Sequence, residues 1–112
     1  MLRQVIVPVD DVSAAVSSYG ETLGLELRFQ DGERWAAFDA GGLTFALAGP
    51  GEQPAGGGIA VGVKVADLEA AIAQIEADGG ELVDAPTKGE HERRATCRDS
   101  HGTTIALYEP LA

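Results

Sequence analysis

The chain has 112 residues, which is enough for one domain and too few for two. Hydrophobic residues make up 45% of it, so a core can be buried, yet no apolar run approaches the roughly 20 residues of a membrane helix. The formal net charge of −10 argues against nucleic acid as a partner, because phosphates would be repelled without a strong basic patch.

Two further features of the composition predict a reduced, cytoplasmic setting. The N-terminal residues lack the apolar stretch and small-residue cleavage site of a signal peptide, and Cys97 is a single cysteine without a disulfide partner. The acidity itself has two interpretations, which both stay open. It attracts cationic ligands toward the surface, or it only keeps the protein in solution.

The first half of the chain reads as a strand, a helix and three strands. Valines at positions 5, 7 and 9 alternate with other residues, which is typical of a half-buried strand. Asp11 is a good N-cap for a helix from Val12 to about Thr22 that ends at Gly24. The apolar face of this helix is predicted to contain Val12, Ala15, Val16, Tyr19 and Leu23. The three strands are expected near Glu26–Phe29, Arg34–Asp39 and Leu43–Ala48.

The second half repeats this order after a glycine-rich linker, residues 49–58. A strand precedes Asp67, which caps a helix from Leu68 to about Asp78 that ends at two glycines. Three strands are then expected, with Ala85–Glu92 as a polar loop between the first two. Their predicted bounds are Glu81–Val83, Arg93–Asp99 and Thr103–Tyr108.

The two halves align with one another, which indicates an internal repeat. Asp11 falls on Asp67 with valines falling on valines before it, and Asp39 falls on Asp99 in a second turn. A match at both ends in the same order argues against chance similarity between alternating strands. We therefore predict one α+β domain with a first module of about residues 1–50, the linker 49–58, and a second module of about residues 59–112.

The order of these elements resembles the vicinal oxygen chelate superfamily, which includes glyoxalase I, extradiol dioxygenases and bleomycin-resistance proteins. The matching segments are the helix end Leu23-Gly24, the helix start Val65-Ala66-Asp67-Leu68 and the turn Asp99-Ser100-His101-Gly102. The resemblance implies two β-α-β-β-β modules that form a curved mixed sheet, a bowl around a ligand cavity. It also implies a homodimer, in which the long linker would permit exchange of modules between chains.

Metal-dependent relatives place one ligand on the first and one on the last strand of each module. By the resemblance these positions are Gln4, Ala46, Ala60 and Ala106. Alanine has no donor atom, and one neutral amide does not hold a divalent ion in competition with water. His91 and His101 lie in a loop and a turn, where solvated histidines are the simpler interpretation. We therefore expect no metal and no cofactor.

Alternation along the strands predicts which side chains face the bowl. Trp35 is the most informative of them, because an aromatic face beside small residues allows a planar ligand to stack; packing at a dimer contact is the alternative. Cys97 is expected to face the helix as a buried structural thiol. The predicted ligand-binding residues are Gln4, Ile6, Pro8, Trp35, Thr44, Ala46, Lys64, Arg94, Thr96, Thr104 and Tyr108.

Two functions follow from this site. The first is a metal-free binding protein of the bleomycin-resistance type, which sequesters a small aromatic or cationic compound and is not expected to bind nucleic acid or membranes. The second is a lyase or isomerase without the usual metal, in which Gln4, Tyr108, Lys64 or an arginine polarises a carbonyl or takes a proton. Glyoxalase I or extradiol dioxygenase activity is disfavoured, because both need a metal to bind two vicinal oxygens.

Overall fold

The computed structural model describes residues 1–54 and 57–111 and contains eight strands and two α-helices within them. The first half comprises β1 (Leu2–Pro8), α1 (Val12–Ser17), a π-helical turn (Ser18–Thr22), β2 (Glu26–Asp31), β3 (Trp35–Asp39) and β4 (Thr44–Ala48). The second comprises β5 (Ala60–Lys64), α2 (Leu68–Ala77), β6 (Glu81–Lys88), β7 (Glu92–Arg98) and β8 (Thr104–Pro110). Neither helix of the described residues is long and apolar enough to span a membrane.

All eight strands form one curved mixed sheet in the order β2-β3-β4-β1-β5-β8-β7-β6. The parallel pairs β1–β4 and β5–β8 occupy equivalent places in the two halves, and β1 and β5 join the halves as an antiparallel pair. The strand register is the same in both modules. Ile6 lies opposite Ala46 in the first, and Gly62, the residue equivalent to Ile6, lies opposite Ala106 in the second. The predicted α+β architecture of two β-α-β-β-β modules is confirmed, and in this chain the two modules pair directly.

Both helices cover the same face of the sheet. Around α1 the buried core comprises Val12, Ala36, Phe38 and Leu47, with the Tyr19 ring centroid 4.9 Å from that of Phe45. Around α2 it comprises Leu68, Ile72, Ala95, Cys97 and Leu107. Burial raises the pKa of the Cys97 thiol, so this group is a packed apolar side chain, as expected, rather than a nucleophile. The opposite face of the sheet is left for a cavity.

The prediction that Leu23 continues the apolar face of the first helix is wrong. After Ser17 the α-helix continues as a π-helical turn, and Leu23 is 62% exposed. A π-helical turn contains more residues per turn than an α-helix, which rotates the following side chain away from its expected direction. Leu25 packs against the α1 core in its place.

The prediction of a polar loop over Ala85–Glu92 is also wrong for most of these residues, which lie in strands. Strand β6 runs to Lys88 and pairs with β7, but its register shifts between Leu82 and Asp84 and again between Asp84 and Thr87. The second irregularity contains Pro86, which cannot donate a ladder hydrogen bond and is tolerated on an edge strand at such a point. The loss of alternation across both irregularities hides the strand from a period-2 pattern.

The N-cap of α2 gives the first testable prediction. The Asp67 carboxylate accepts a hydrogen bond from the Ala70 N–H at 3.0 Å, as Asp11 does from the Ala14 N–H in the first module. Asp67→Ala should lower the free energy of unfolding, measured in urea, by about 1 kcal/mol. Asp78→Ala at the other end of the same helix is the matched control, and it should be neutral or stabilising because a carboxylate there opposes the helix dipole. Equal losses in the two variants would contradict this assignment of the cap.

Candidate ligand-binding site

Small side chains form the floor of the bowl. Ile6, Ala46, Ala48 and Ala60 are buried together on the face away from the helices, and Trp35 and Ala106 pack against them. Because alanine ends at Cβ, the space above these strands remains open. The resulting cavity has a volume of about 550 Å³, which lies within the range of small-molecule sites.

The structure brings six of the eleven predicted ligand-binding residues to this cavity. They are Gln4, Ile6, Trp35, Arg94, Thr96 and Tyr108. Thr44 lines a smaller neighbouring pocket, whereas Pro8, Ala46, Lys64 and Thr104 line neither. Ala46 is buried in the floor, Thr104 is buried with its hydroxyl donating to the Gly57 carbonyl at 3.2 Å, and Lys64 is exposed.

Part of the predicted linker forms a wall of the cavity. We call residues 51–54 the strap, and all four line the cavity. The Gln53 side-chain amide donates to the carbonyls of Val9 and Ala48, both at 3.3 Å, and Arg34 Nη2 donates to Glu52 Oε1 at 2.8 Å. Before the strap, Gly49 passes so close to the β2–β3 turn that an added Cβ would lie 2.1 Å from the Glu33 carbonyl oxygen. The strap is therefore anchored, although its composition is typical of a flexible linker.

Other cavity residues were also missed by the sequence analysis. Asp31 and Arg34 flank the β2–β3 turn, and Asp84 and Thr87 lie on β6 where the register is irregular. Alternation assigns faces only along regular strands, so it gives no direction for turn residues or for side chains beside a bulge. The sequence carries no other signal for them.

The cavity contains more negative than positive charge. Its described lining includes four carboxylates, at Asp31, Glu52, Asp84 and Glu92, and two guanidiniums, at Arg34 and Arg94. Arg34 pairs with Glu52 at 2.8 Å and approaches Asp31 at 3.6 Å. In the described part of the chain, Asp84, Glu92 and Arg94 form no ion pair, so these charges are available to a ligand.

Two neutral polar groups complete the site. The Gln4 side chain lies across the backbone of Gly62, where a Cβ added to Gly62 would be only 2.4 Å from Gln4 Cγ. The Gln4 amide lines the cavity and makes no hydrogen bond to the described residues. Burial raises the pKa of the Tyr108 hydroxyl; nearby Arg3 lowers it and Glu92 raises it further. The phenol is therefore neutral at neutral pH and offers one donor and one acceptor.

The residues present do not fit the metal site of metal-dependent relatives. At the four equivalent positions only Gln4 carries a donor atom, and Ala46 and Ala60 are fully buried in the apolar floor. The acidic cluster that the described residues do contain, Asp67, Glu69 and Glu109, lies at the start of α2, where Arg93 bonds to both glutamates. His91 is exposed in the turn before β7 and His101 in the turn before β8.

Comparison with known proteins gives a consistent family. The model of the Glyoxalase/Bleomycin resistance protein/Dioxygenase superfamily matches residues 2–107. An uncharacterised protein from Mycolicibacterium smegmatis is 40% identical over 110 residues, which cover 98% of this chain and 94% of the relative.

Solved structures share the fold at lower identity. A superfamily member from Vibrio splendidus 12B01 superimposes with a TM-score of 0.75 at 19% identity, covering 97% of this chain and 99% of that one. Methylmalonyl-CoA epimerase from Mycobacterium tuberculosis has a TM-score of 0.61 at 22% identity, covering 99% of this chain and 88% of that one. The chain therefore belongs to the glyoxalase/bleomycin resistance protein/dioxygenase superfamily.

Proposed function

We propose that this protein binds a small aromatic cation without a metal and without chemical conversion. The observation that carries the proposal is the cavity of about 550 Å³, in which the Trp35 indole lies together with the carboxylates of Asp84 and Glu92, which form no ion pair with the described residues. An indole attracts a planar or cationic group through its π-face, and unpaired carboxylates favour positive over negative charge. The chain's net charge of −10 also attracts cations from solution.

Trp35 can supply this contact at low cost. It packs against the buried floor and simultaneously lines the cavity, so its orientation is largely determined before a ligand arrives. A side chain that is already ordered loses little further entropy on binding. Gln4, Thr96 and Arg94 are then placed to select among ligands by their polar groups.

A lyase or isomerase is the second candidate, favoured by the half-buried phenol of Tyr108 and by the Gln4 amide, which has no hydrogen bond to the described residues, in the same cavity. Both could hydrogen-bond a substrate carbonyl. A reaction without a metal also needs a base, and the raised pKa of Tyr108 makes it a poor one at neutral pH. Lys64, the basic candidate from the sequence, is exposed and lies outside both pockets. The carboxylates of Asp84 and Glu92 in the same cavity are the remaining possible bases, but nothing in their arrangement singles out a proton to be transferred, so ligand binding stays the first proposal.

The test is a thermal-shift series with two dyes of the same xanthene shape. Tetramethylrhodamine methyl ester is an aromatic cation, and fluorescein is an aromatic anion. We expect the cation to raise Tm in the presence of EDTA, and fluorescein to raise it less or not at all, since a ligand at a hundredfold excess over its Kd adds about 2.7 kcal/mol of stability. A shift that appears only when a divalent metal is added would contradict metal-free binding.

The assembly and location of the protein remain predictions. We infer a homodimer from the family resemblance. We infer a cytoplasmic location from the single cysteine, which is buried and forms no disulfide. Module exchange would require β1 and β5, which pair within this chain, to pair instead between two chains. Residues 55 and 56 of the segment that connects the modules lie outside the described residues.

A further inference from the structure

A second pocket of about 370 Å³ adjoins the main cavity. Its described lining is Arg3, Gln4, Gly42, Thr44, Glu92 and Tyr108. Gln4, Glu92 and Tyr108 also line the main cavity, so these three side chains form the junction between the two. A ligand that is longer than the main cavity would therefore extend toward Arg3 and Thr44.

Arg3 faces this pocket because of an irregularity in β1. Strict alternation would turn Arg3 to the helix side with Val5 and Val7. The pairing with β5 shifts between Leu2 and Gln4, however, since Leu2 lies opposite Val63 and Gln4 opposite Gly62. Two steps on β1 thus match one step on β5, which makes Arg3 the extra residue of a β-bulge. Bulges redirect a side chain in this way and are common beside functional sites.

The Arg3 guanidinium lies near the junction. It lines the second pocket, and its positive charge acts on the pKa of the Tyr108 hydroxyl. Arg3 is exposed and makes no ion pair within the described residues. Its charge is therefore free to meet an anionic group, and the Thr44 hydroxyl in the same pocket adds a second donor.

We propose that the second pocket is an anion subsite and that the ligand is dipolar, with a carboxylate or similar anionic group held by Arg3 and Thr44. The inference rests on the proposed binding of an aromatic cation in the main cavity. The charges are ordered to suit such a ligand. Asp84 and Glu92 act on its cationic part in the main cavity and at the junction, and Arg3 acts on its anionic part beyond the junction. Glu92 lines the second pocket as well as the main cavity, so its repulsion leaves an anion favourable only where Arg3 and Thr44 compensate it.

The experiment compares two dyes that differ in one group. Tetramethylrhodamine carries a free carboxylate, and its methyl ester carries the same aromatic cation without the negative charge. Fluorescence polarisation titrations of the intact protein measure the Kd of each. We expect the free acid to bind about tenfold more tightly than the ester, because a charge-assisted hydrogen bond at a partly exposed site contributes roughly that much. Arg3→Gln should remove this preference and leave the Kd of the ester nearly unchanged.

Two further arginine variants make the result specific. Arg28→Gln removes the same charge from β2, where Arg28 pairs with Asp39 at 3.0 Å and lines neither pocket, so it should retain the preference. Arg94→Gln removes the main-cavity cation that has no ion pair in the described chain. If Arg94→Gln loses the preference for the free acid and Arg3→Gln keeps it, the anion lies in the main cavity and the proposal is overturned. Equal binding of the two dyes by the unmodified protein would overturn it as well. Failure of both dyes to bind would instead contradict the proposed function, and the subsite with it.

Discussion

Replacing Phe38 with alanine should lower the free energy of unfolding by about 3–5 kcal/mol, the usual cost of removing a large buried aromatic side chain. Phe38 has no exposed surface and lies between α1 and the sheet. Its ring centroid is 6.5 Å from that of Tyr19 and 6.4 Å from that of Phe45, so the substitution also removes two aromatic contacts. Since small domains are stable by only about 5–15 kcal/mol, urea denaturation should show a large decrease in the midpoint.

Phe29→Ala provides the matched control for this substitution. Phe29 is on the edge strand β2 of the same module and is 56% exposed, so the same chemical change should cost less than about 1 kcal/mol. Comparable losses in the two variants would mean that Phe38 is not at the centre of the α1 core. Because Phe38 lies on the helix side of the sheet, the folded fraction of Phe38→Ala should still bind tetramethylrhodamine methyl ester with the affinity of the unmodified protein.

The two-module fold could be predicted from the sequence because it depends on local features that occur twice. Asp11 and Asp67 each cap a helix, and alternating valines precede both. The faces of regular strands also followed from alternation, so that Cys97 is buried against α2 while its neighbour Thr96 lines the cavity. These predictions need only the period of a strand and the preferences of a helix end.

The rest of the site could not be predicted, because it depends on departures from those periods. Arg3 is redirected by a bulge, and Asp84 lies where the register of β6 shifts. Glu52 and Gln53 are in a glycine-rich segment whose anchoring depends on contacts with Arg34 and Val9, which are distant in sequence. A pattern read along one segment contains no information about such long-range contacts.

The largest functional effect is expected from Trp35. Trp35→Ala should weaken the binding of tetramethylrhodamine methyl ester by about tenfold to a hundredfold, equivalent to about 1.4–2.8 kcal/mol, as is usual for a tryptophan that carries a binding contact. The physical reason is the loss of both the stacking surface and the cation–π attraction of the indole. Fluorescence polarisation measures the Kd, and the fluorescence of Trp35, which is the single tryptophan of the chain, reports the contact directly in the unmodified protein.

The control must separate loss of the ring from loss of the fold, because Trp35 also packs on the apolar floor formed by Ile6, Ala46, Ala48 and Ala60. Trp35→Phe retains a π-face and most of that packing, so it should bind with an affinity between those of the unmodified protein and Trp35→Ala. Circular dichroism at the temperature of the titration establishes that each variant is folded. If folded Trp35→Ala binds the dye as tightly as the unmodified protein, Trp35 only supports the floor, and the positive part of the ligand must be recognised by Asp84 and Glu92 alone. If both substitutions weaken binding equally, the indole has a role that a smaller ring cannot fill, such as a hydrogen bond donated by its N–H.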